Sequence, residues 1–443
     1  MFGTVLIANR GEIACRVIRT CQRLGIRTVA VYSEADEQAL HVELADEAYL
    51  IGPASAAQSY LRSDAIIDVA LRSGAEAIHP GYGFHSEQPA FARAVAAAGI
   101  VFVGPSPEAM EAVGDKLPAR AAARAIGFPL VPGSDGAISL ESVETEARRL
   151  GFPLLMKASA GGGGIGITQV DAPEQLDDAL RRTRGLAERF FGAPTVYLER
   201  LVGSARHVEV QFLTDMHGNR LTFGTRDCSV QRRHQKVIEE ATAFALSTET
   251  EAALFKDAVR LAEAIGYTNA GTIECLFGEG HYYFLEVNAR LQVEHPVTEE
   301  VFGIDLVEEQ IRVAAGEPVS SRALEARPQG HAIECRIYAE DPATHRPMPG
   351  IIDELHFATG DGVRVDTGYR SGDTVTPFYD PMIAKLIVRG ADRADTVARL
   401  ASALEETEVV GLTTNLPLLR RIVRMSEFID GGYDTSILAQ LGN

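Results

Sequence analysis

Two short stretches, TIECLF and FLEVNARLQVEHP, hold Glu274, Glu286, Asn288, Arg290, Gln292 and Glu294. Both read as strands, and directly opposed side chains on an antiparallel pair come close enough to share one ligand. Glu274 and Glu286 then present two carboxylates to one hard cation. Asn288, two residues beyond Glu286 on the same face, adds a neutral oxygen. Oxygen donors of this kind suit magnesium held against ATP phosphates and do not suit zinc. Arg290, Gln292 and Glu294 continue the period of two past Asn288, which puts five polar groups on one strand face opposite Val287, Leu291 and Val293. A merely solvated face rarely intersperses an amide and an arginine among carboxylates, so the pattern predicts the floor of an active site.

Two further stretches carry chemistry. In KASAGGGGIGI, residues 157–167, four consecutive glycines have no use in a packed strand or helix. They suit a mobile loop whose bare N–H groups wrap phosphate oxygens, with Lys157 upstream as a point charge. No G-K-[ST] follows, so this is not a Walker loop. In RDCSVQRRHQKVIEE, Arg226, Arg232, Arg233, His234 and Lys236 crowd together, and in an acidic chain such a cluster implies an anion.

The elements that must position these residues follow from periodicity. Strands are predicted at 5–8, 28–32, 77–79 and 101–103, with helices at 11–23, 63–73 and 89–98, a βαβα rhythm that implies a parallel sheet covered by helices. The sequence ANRGEI lacks the G-x-G-x-x-G spacing, which argues against a dinucleotide site. Pro and Gly cluster at 129–136 and mark a boundary. Beyond it lie β-branched runs such as HVEVQFLTD and GHYYFLEVN, a helix at about 250–265, strands at 332–338 and 383–388, and a helix at 395–405. A length of 443 residues exceeds one hydrophobic core and predicts two or three domains. A net charge of −19 and the lack of a long basic run argue against nucleic-acid or anionic-membrane partners. Five cysteines without C-x-x-C spacing suit a reducing compartment, and no signal peptide or apolar run of about 20 residues is present, so a cytoplasmic location is expected.

Together these stretches closely resemble the biotin carboxylase family of the ATP-grasp superfamily. The resemblance rests on LIANRGEIACRVIRT, HPGYGFHSE, VGDK, KASAGGGG, ARHVEVQ, RDCSVQRRHQKVIEE, NARLQVEHPVTE, ECRIYAEDP and YDPMIAKLI, in family order. It implies an α/β ATP-grasp fold with an N-terminal Rossmann-like parallel-sheet domain (1–115), a linker and small mobile lid (116–204), a catalytic core (205–330) and a C-terminal α+β domain (331–443). It also implies a reaction: ATP phosphorylates bicarbonate to carboxyphosphate, and the ureido nitrogen of biotin is carboxylated.

By the same resemblance, Lys116, Lys157, Gly163 and Gly164 contact ATP phosphates. Glu199, Arg200, Leu201 and Val202 border the adenine, and His207, Gln231, His234 and Leu276 line the nucleotide pocket. Magnesium or manganese is held by Glu274 and Glu286 with Asn288 beside them. Lys236, Arg290, Gln292 and Val293 hold bicarbonate, Glu294 is its general base, and Arg336 stabilises charge on the biotin ureido oxygen. Two departures stand out. Ile165 and Thr168 replace a basic residue and an arginine, the first being reminiscent of urea-carboxylating relatives, and ATAFAL replaces a proline-rich turn after Glu240. With no A-M-K-M motif before Asn443, biotin is expected on a separate carrier protein, with separate carboxyltransferase subunits and a homodimeric enzyme. Acetyl-CoA is the default acceptor, with propionyl-CoA, pyruvate and urea as alternatives. Competing readings are another ATP-grasp ligase and a non-catalytic assembly subunit.

Overall fold

A computed structural model of the chain describes residues 1–160, 166–232 and 235–441. Strands β1 (Thr4–Ile7), β2 (Arg27–Ser33), β3 (Glu47–Gly52), β4 (Ala77–His79) and β5 (Val101–Phe102) form a parallel sheet in the order β3-β2-β1-β4-β5. All four residues of TVLI in β1 are buried, as expected of a central strand covered by helices on both faces. The helix Gly11–Arg23 follows, and its Ile13, Val17, Ile18 and Cys21 pack into one core with Val5 and Ile7. The predicted elements of this region are present, their ends displaced by at most one residue.

The helix opens at Gly11, whose φ is +63°, and the backbone of Gly368 lies against it. A Cβ at Gly368 would sit 2.5 Å from the Gly11 carbonyl carbon, so no other residue fits there without displacing the helix start. The C-terminal part of the chain therefore covers the place where a dinucleotide-binding sheet receives its pyrophosphate.

Strands β6 (Leu154–Ala158), β7 (Ile167–Val170) and β8 (Val196–Arg200) form a small antiparallel sheet, ordered β7-β6-β8. The helix Leu176–Phe191 covers it, and Leu154, Met156, Leu176, Leu180 and Leu198 share its core.

The largest sheet draws on β9 (Arg206–Thr214), β10 (Arg220–Arg232), β11 (Gln235–Ala241), β12 (Asn269–Gly278), β13 (His281–Asn288) and β14 (His331–Tyr338). Later strands are β15 (Gly350–Ile351), β16 (Glu354–His356), β17 (Val363–Thr367), β18 (Thr374–Val375), β19 (Met382–Gly390) and β20 (Glu408–Val410); β15 pairs with β18 and β16 with β20. The eight strands run β13-β12-β9-β10-β11-β14-β19-β17, antiparallel throughout, and the β11–β14 pairing carries the sheet across residue 330. In β9, Val208, Val210 and Phe212 enter a core with Leu254, Ala258 and Leu261 of the helix Thr248–Ala264. Strand alternation then sends His207, Glu209 and Gln211 to the other face.

One expectation fails at the end of β13. Arg290, Gln292 and Glu294 are not strand residues, because β13 stops at Asn288 and 289–294 turn into the helix His295–Phe302. Two causes are visible. Pro296 suits a first helical turn, its missing N–H being unneeded there, and Ala289 N donates to the Glu87 carboxylate at 2.9 Å instead of to a ladder partner. Val293 accordingly lines the site and does not join an apolar opposite face.

Candidate active site

Register decides what meets what. Glu286 on β13 faces Glu274 on β12, Glu274 faces Glu209 on β9, and Glu209 faces Arg226 on β10. Three carboxylates and a guanidinium thus form one row across four strands. Arg226, fully buried, donates to Glu209, and through Nη1 to Gln211 Oε1 at 2.8 Å and Thr298 Oγ1 at 2.9 Å. The basic stretch around residue 230 therefore meets anions, but several are the protein's own: Arg226 takes Glu209, and Arg232 takes Glu340 at 2.7 Å.

Lys236 reaches from β11 into the middle of this row. Its Nζ lies 2.6 Å from Glu209 Oε2, 2.8 Å from Glu274 Oε1 and 2.6 Å from Glu294 Oε1. Burial alone would lower its proton affinity, but Cys228 and these carboxylates raise it well above the ordinary lysine value. Glu294, fully buried, is clamped on its other oxygen by Arg336 Nη2 at 3.0 Å. Burial pushes its carboxyl up, yet Lys236, Arg336 and Arg226 outweigh burial and hold it well below the usual carboxylate range. Arg336 also lies 2.5 Å from Glu239, whose carboxyl burial pushes up to about 7 against the pull of Arg336.

The turn after β13 is equally well bonded. Arg290 donates to Glu87 Oε2 at 2.9 Å, Asn288 Oδ1 at 3.1 Å and Gln292 Oε1 at 2.8 Å, and Gln292 Nε2 donates to Glu274 Oε1 at 3.1 Å. His207 Nε2 lies 2.9 Å from Glu274 Oε2, and Gln231 is 2.6 Å from His207 Nδ1. Leu276 pairs with His207 across β12 and β9. These groups open onto a cavity of about 560 Å³, bordered by Glu87, Lys236, Glu274, Arg290, Arg336 and His345 among others.

The donor chemistry fits a hard divalent cation. Glu274 and Glu286 are directly opposed, and Asn288 stands one same-face step beyond Glu286 with its Oδ1 accepting from Arg290 at 3.1 Å. Glu286 is balanced by Lys116 Nζ at 3.1 Å. Farther away, in the small sheet, Glu199 is paired with both Lys157 and Arg120. Arg200 is exposed, Leu201 and Val202 are half-buried, and Val202 packs against Gly278. Thr168 is engaged in the small sheet's own packing, its hydroxyl accepting from Thr183 at 2.8 Å. Gly163, Gly164, Ile165 and His234 lie outside the described residues.

Sequence reasoning missed Glu87, Glu209 and Glu239, and did not see that Arg226 is internal. Glu209 had a signal, a lone charge in an alternating apolar strand. Glu87 closes the HPGYGFHSE stretch, but a carboxylate in a loop shows no period that would mark its partner.

Comparison with known proteins agrees with this geometry. Residues 1–110 match "Biotin carboxylase, N-terminal domain", 115–322 match "Carbamoyl-phosphate synthase L chain, ATP binding domain", and 334–440 match "Biotin carboxylase C-terminal domain". A biotin carboxylase of Halalkalibacterium halodurans is 50% identical over 440 residues, covering 99% of this chain and 97% of that one. The crystal structure of a Campylobacter jejuni biotin carboxylase–βγ-ATP complex superposes with a TM-score of 0.97 at 42% identity, covering 99% of both chains. The biotin carboxylase domain dimer of Hydrogenobacter thermophilus 2-oxoglutarate carboxylase, solved with MgADP, ADP and bicarbonate, gives 0.96 at 44% identity, over 99% of this chain and 98% of that one. With half of its residues identical to such a relative across almost its full length, the chain belongs to the biotin carboxylase family.

Proposed function

We propose that the buried charge row and the turn after β13 together perform the ATP-driven carboxylation of biotin by bicarbonate. The observation that carries this is Glu294, fully buried between Lys236 and Arg336 and adjoining the Glu274–Glu286 pair.

In this reading Glu294 is the general base for bicarbonate. Bicarbonate is a weak nucleophile, so removal of its proton by a positioned carboxylate assists attack on the γ-phosphoryl group. Glu294 is held ionised and is thus ready to accept that proton. When Lys236 turns to the bicarbonate oxygens, Glu294 loses the strongest of the three cations that depress its basicity. Arg290, Gln292 and Val293 complete the bicarbonate site, and Arg336 faces charge developing on the ureido oxygen of biotin, a task that suits its planar fork. Glu274, Glu286 and Asn288 would hold magnesium, which neutralises charge on the nucleotide phosphates. Lys116 and Lys157 are the phosphate lysines. Glu286 and Glu199 pair with them and keep their ammonium groups placed. Glu199, Arg200, Leu201, Val202, His207, Gln231, His234 and Leu276 line the adenine side, and Gly163 and Gly164 cover the phosphates.

Segments 1–115, 116–204, 205–330 and 331–443 serve as scaffold, lid, catalytic core and closing domain. Biotin arrives on a carrier protein, carboxyltransferase subunits complete the reaction, and the enzyme works as a homodimer in the cytoplasm. The dimeric Hydrogenobacter thermophilus structure supports the homodimer. The experiment is ADP release measured with and without bicarbonate and free biotin: both are expected to stimulate it. A folded protein whose ADP release ignores biotin would overturn the reading.

A further inference from the structure

Three consecutive backbone carbonyls behind the proposed base are each held by a side chain. Leu291 O accepts from Arg290 Nη1 at 3.1 Å, Gln292 O from His295 Nδ1 at 2.7 Å, and Val293 O from Lys385 Nζ at 2.9 Å. Arg290 and His295 belong to the turn and the helix it enters. Lys385 comes from β19, 92 residues further along the chain.

Lys385 is fully buried, between Arg336 on β14 and Asp366 on β17 in the cross-strand register. Its nearest counter-ion is Glu12 Oε2 at 3.3 Å, in the first turn of the helix Gly11–Arg23, and neither Glu12 oxygen accepts a hydrogen bond among the described residues. Asp366 lies 3.9 Å away and already accepts from Arg364 at 2.8 Å. A buried ammonium costs several kcal/mol of desolvation, and well-packed apolar replacements of buried ion pairs are often no less stable, so cohesion alone explains Lys385 poorly. Its one close hydrogen bond gives a better reason. A peptide is planar, so gripping Val293 O fixes the Val293–Glu294 plane and the Cα from which the Glu294 side chain departs.

We infer that Lys385 is a positioning residue: anchored by Glu12, it holds the Val293–Glu294 peptide so that Glu294 stays between Lys236 and Arg336. This rests on the reading of Glu294 as the base. Lys385 meets the proposed bicarbonate site through the Val293 carbonyl and touches none of the residues assigned to the nucleotide, so its loss disturbs the bicarbonate step and leaves nucleotide binding alone.

The test compares Lys385→Met, Lys385→Arg and the double variant Lys385→Met/Glu12→Gln in the full chain. The readouts are bicarbonate-dependent ADP release and titrated ADP affinity. The Met variant is expected to lose about 100-fold in kcat/KM for bicarbonate, while ADP affinity stays within about twofold. Lys385→Arg, which keeps charge and donor, is expected to recover most of that loss. Should Lys385→Met not fold, the double variant decides, since it leaves no unpaired buried carboxylate. A folded double variant with wild-type kcat/KM for bicarbonate overturns the inference, as does an equal loss toward ATP and bicarbonate. Glu294→Gln separates the two levels. If it is inactive while the Lys385 variants behave as wild type, only the inference about Lys385 fails. If it is fully active, the reading of the base fails and the inference falls with it.

Discussion

The central strands of the parallel sheet and of the large antiparallel sheet are both buried, but they are filled differently. In the parallel sheet, β1 contributes only apolar or hydroxyl side chains, and His41, His79 and His85 nearby are held neutral. In the antiparallel sheet, β14 is buried along its whole length and yet contains Glu334 and Arg336, while β9, β10 and β11 add Glu209, Arg226 and Glu239. Apolar filling stabilises a scaffold cheaply, whereas buried charges cost desolvation and hold their place only when fully paired. A protein that concentrates them on one sheet face is spending stability on chemistry, and this is the face that opens onto the cavity.

That contrast breaks most visibly at Lys236. Lys236→Met leaves Glu209, Glu274 and Glu294 without their shared ammonium, and we expect bicarbonate-dependent ADP release to fall by about 10³-fold. Steady-state kinetics checks it, and near-normal turnover would mean that the row is structural. Next comes Arg226→Met, which takes from the fully buried Glu209 one of its two cations and leaves it Lys236; denaturant unfolding should show a loss of about 3 kcal/mol.

In the parallel-sheet region the lever is acid. Burial lowers His41 and His85 to about 4 and His79 to about 3, so the unfolded chain, with histidines near 6.5, binds more protons. The stability contributed by each neutral histidine is present above pH about 6.5 and is lost as pH falls toward the folded value, at about 1.4 kcal/mol per pH unit. The difference between wild type and His79→Gln, followed by denaturant unfolding at pH 7, 6 and 5, isolates one such contribution. A constant difference across that range would refute it. The smallest effect belongs to the surface: Arg62 and Asp64 form an exposed pair, and Arg62→Ala should leave the thermal midpoint unchanged.

How much of this was legible in the sequence differs between the same two regions. Four of the parallel sheet's five strands lie where apolar periodicity puts them; the edge strand β3, mostly half-buried, escaped it because EAYLIG shows no clear alternation. In the antiparallel sheet, the facing of Glu274 and Glu286 was readable because each sits in an unambiguous strand. The continuation to Glu294 was not, since alternation of polar and apolar residues persisted through a turn that Pro296 and Glu87 pull out of the sheet. The row Glu274–Glu209–Arg226 depends on β9 lying between β12 and β10, a strand order that no single strand reveals. Lys385 was invisible for a similar reason: its partner is a carbonyl, and carbonyls have no sequence signature.

The proposed chemistry turns on Glu294. The most direct measurement is bicarbonate-dependent, biotin-stimulated ADP release by Glu294→Gln beside wild type, with ADP affinity measured in parallel. A loss of about 10²–10⁴-fold in turnover with unchanged ADP affinity is the predicted result. Wild-type turnover by the glutamine variant would contradict the central claim.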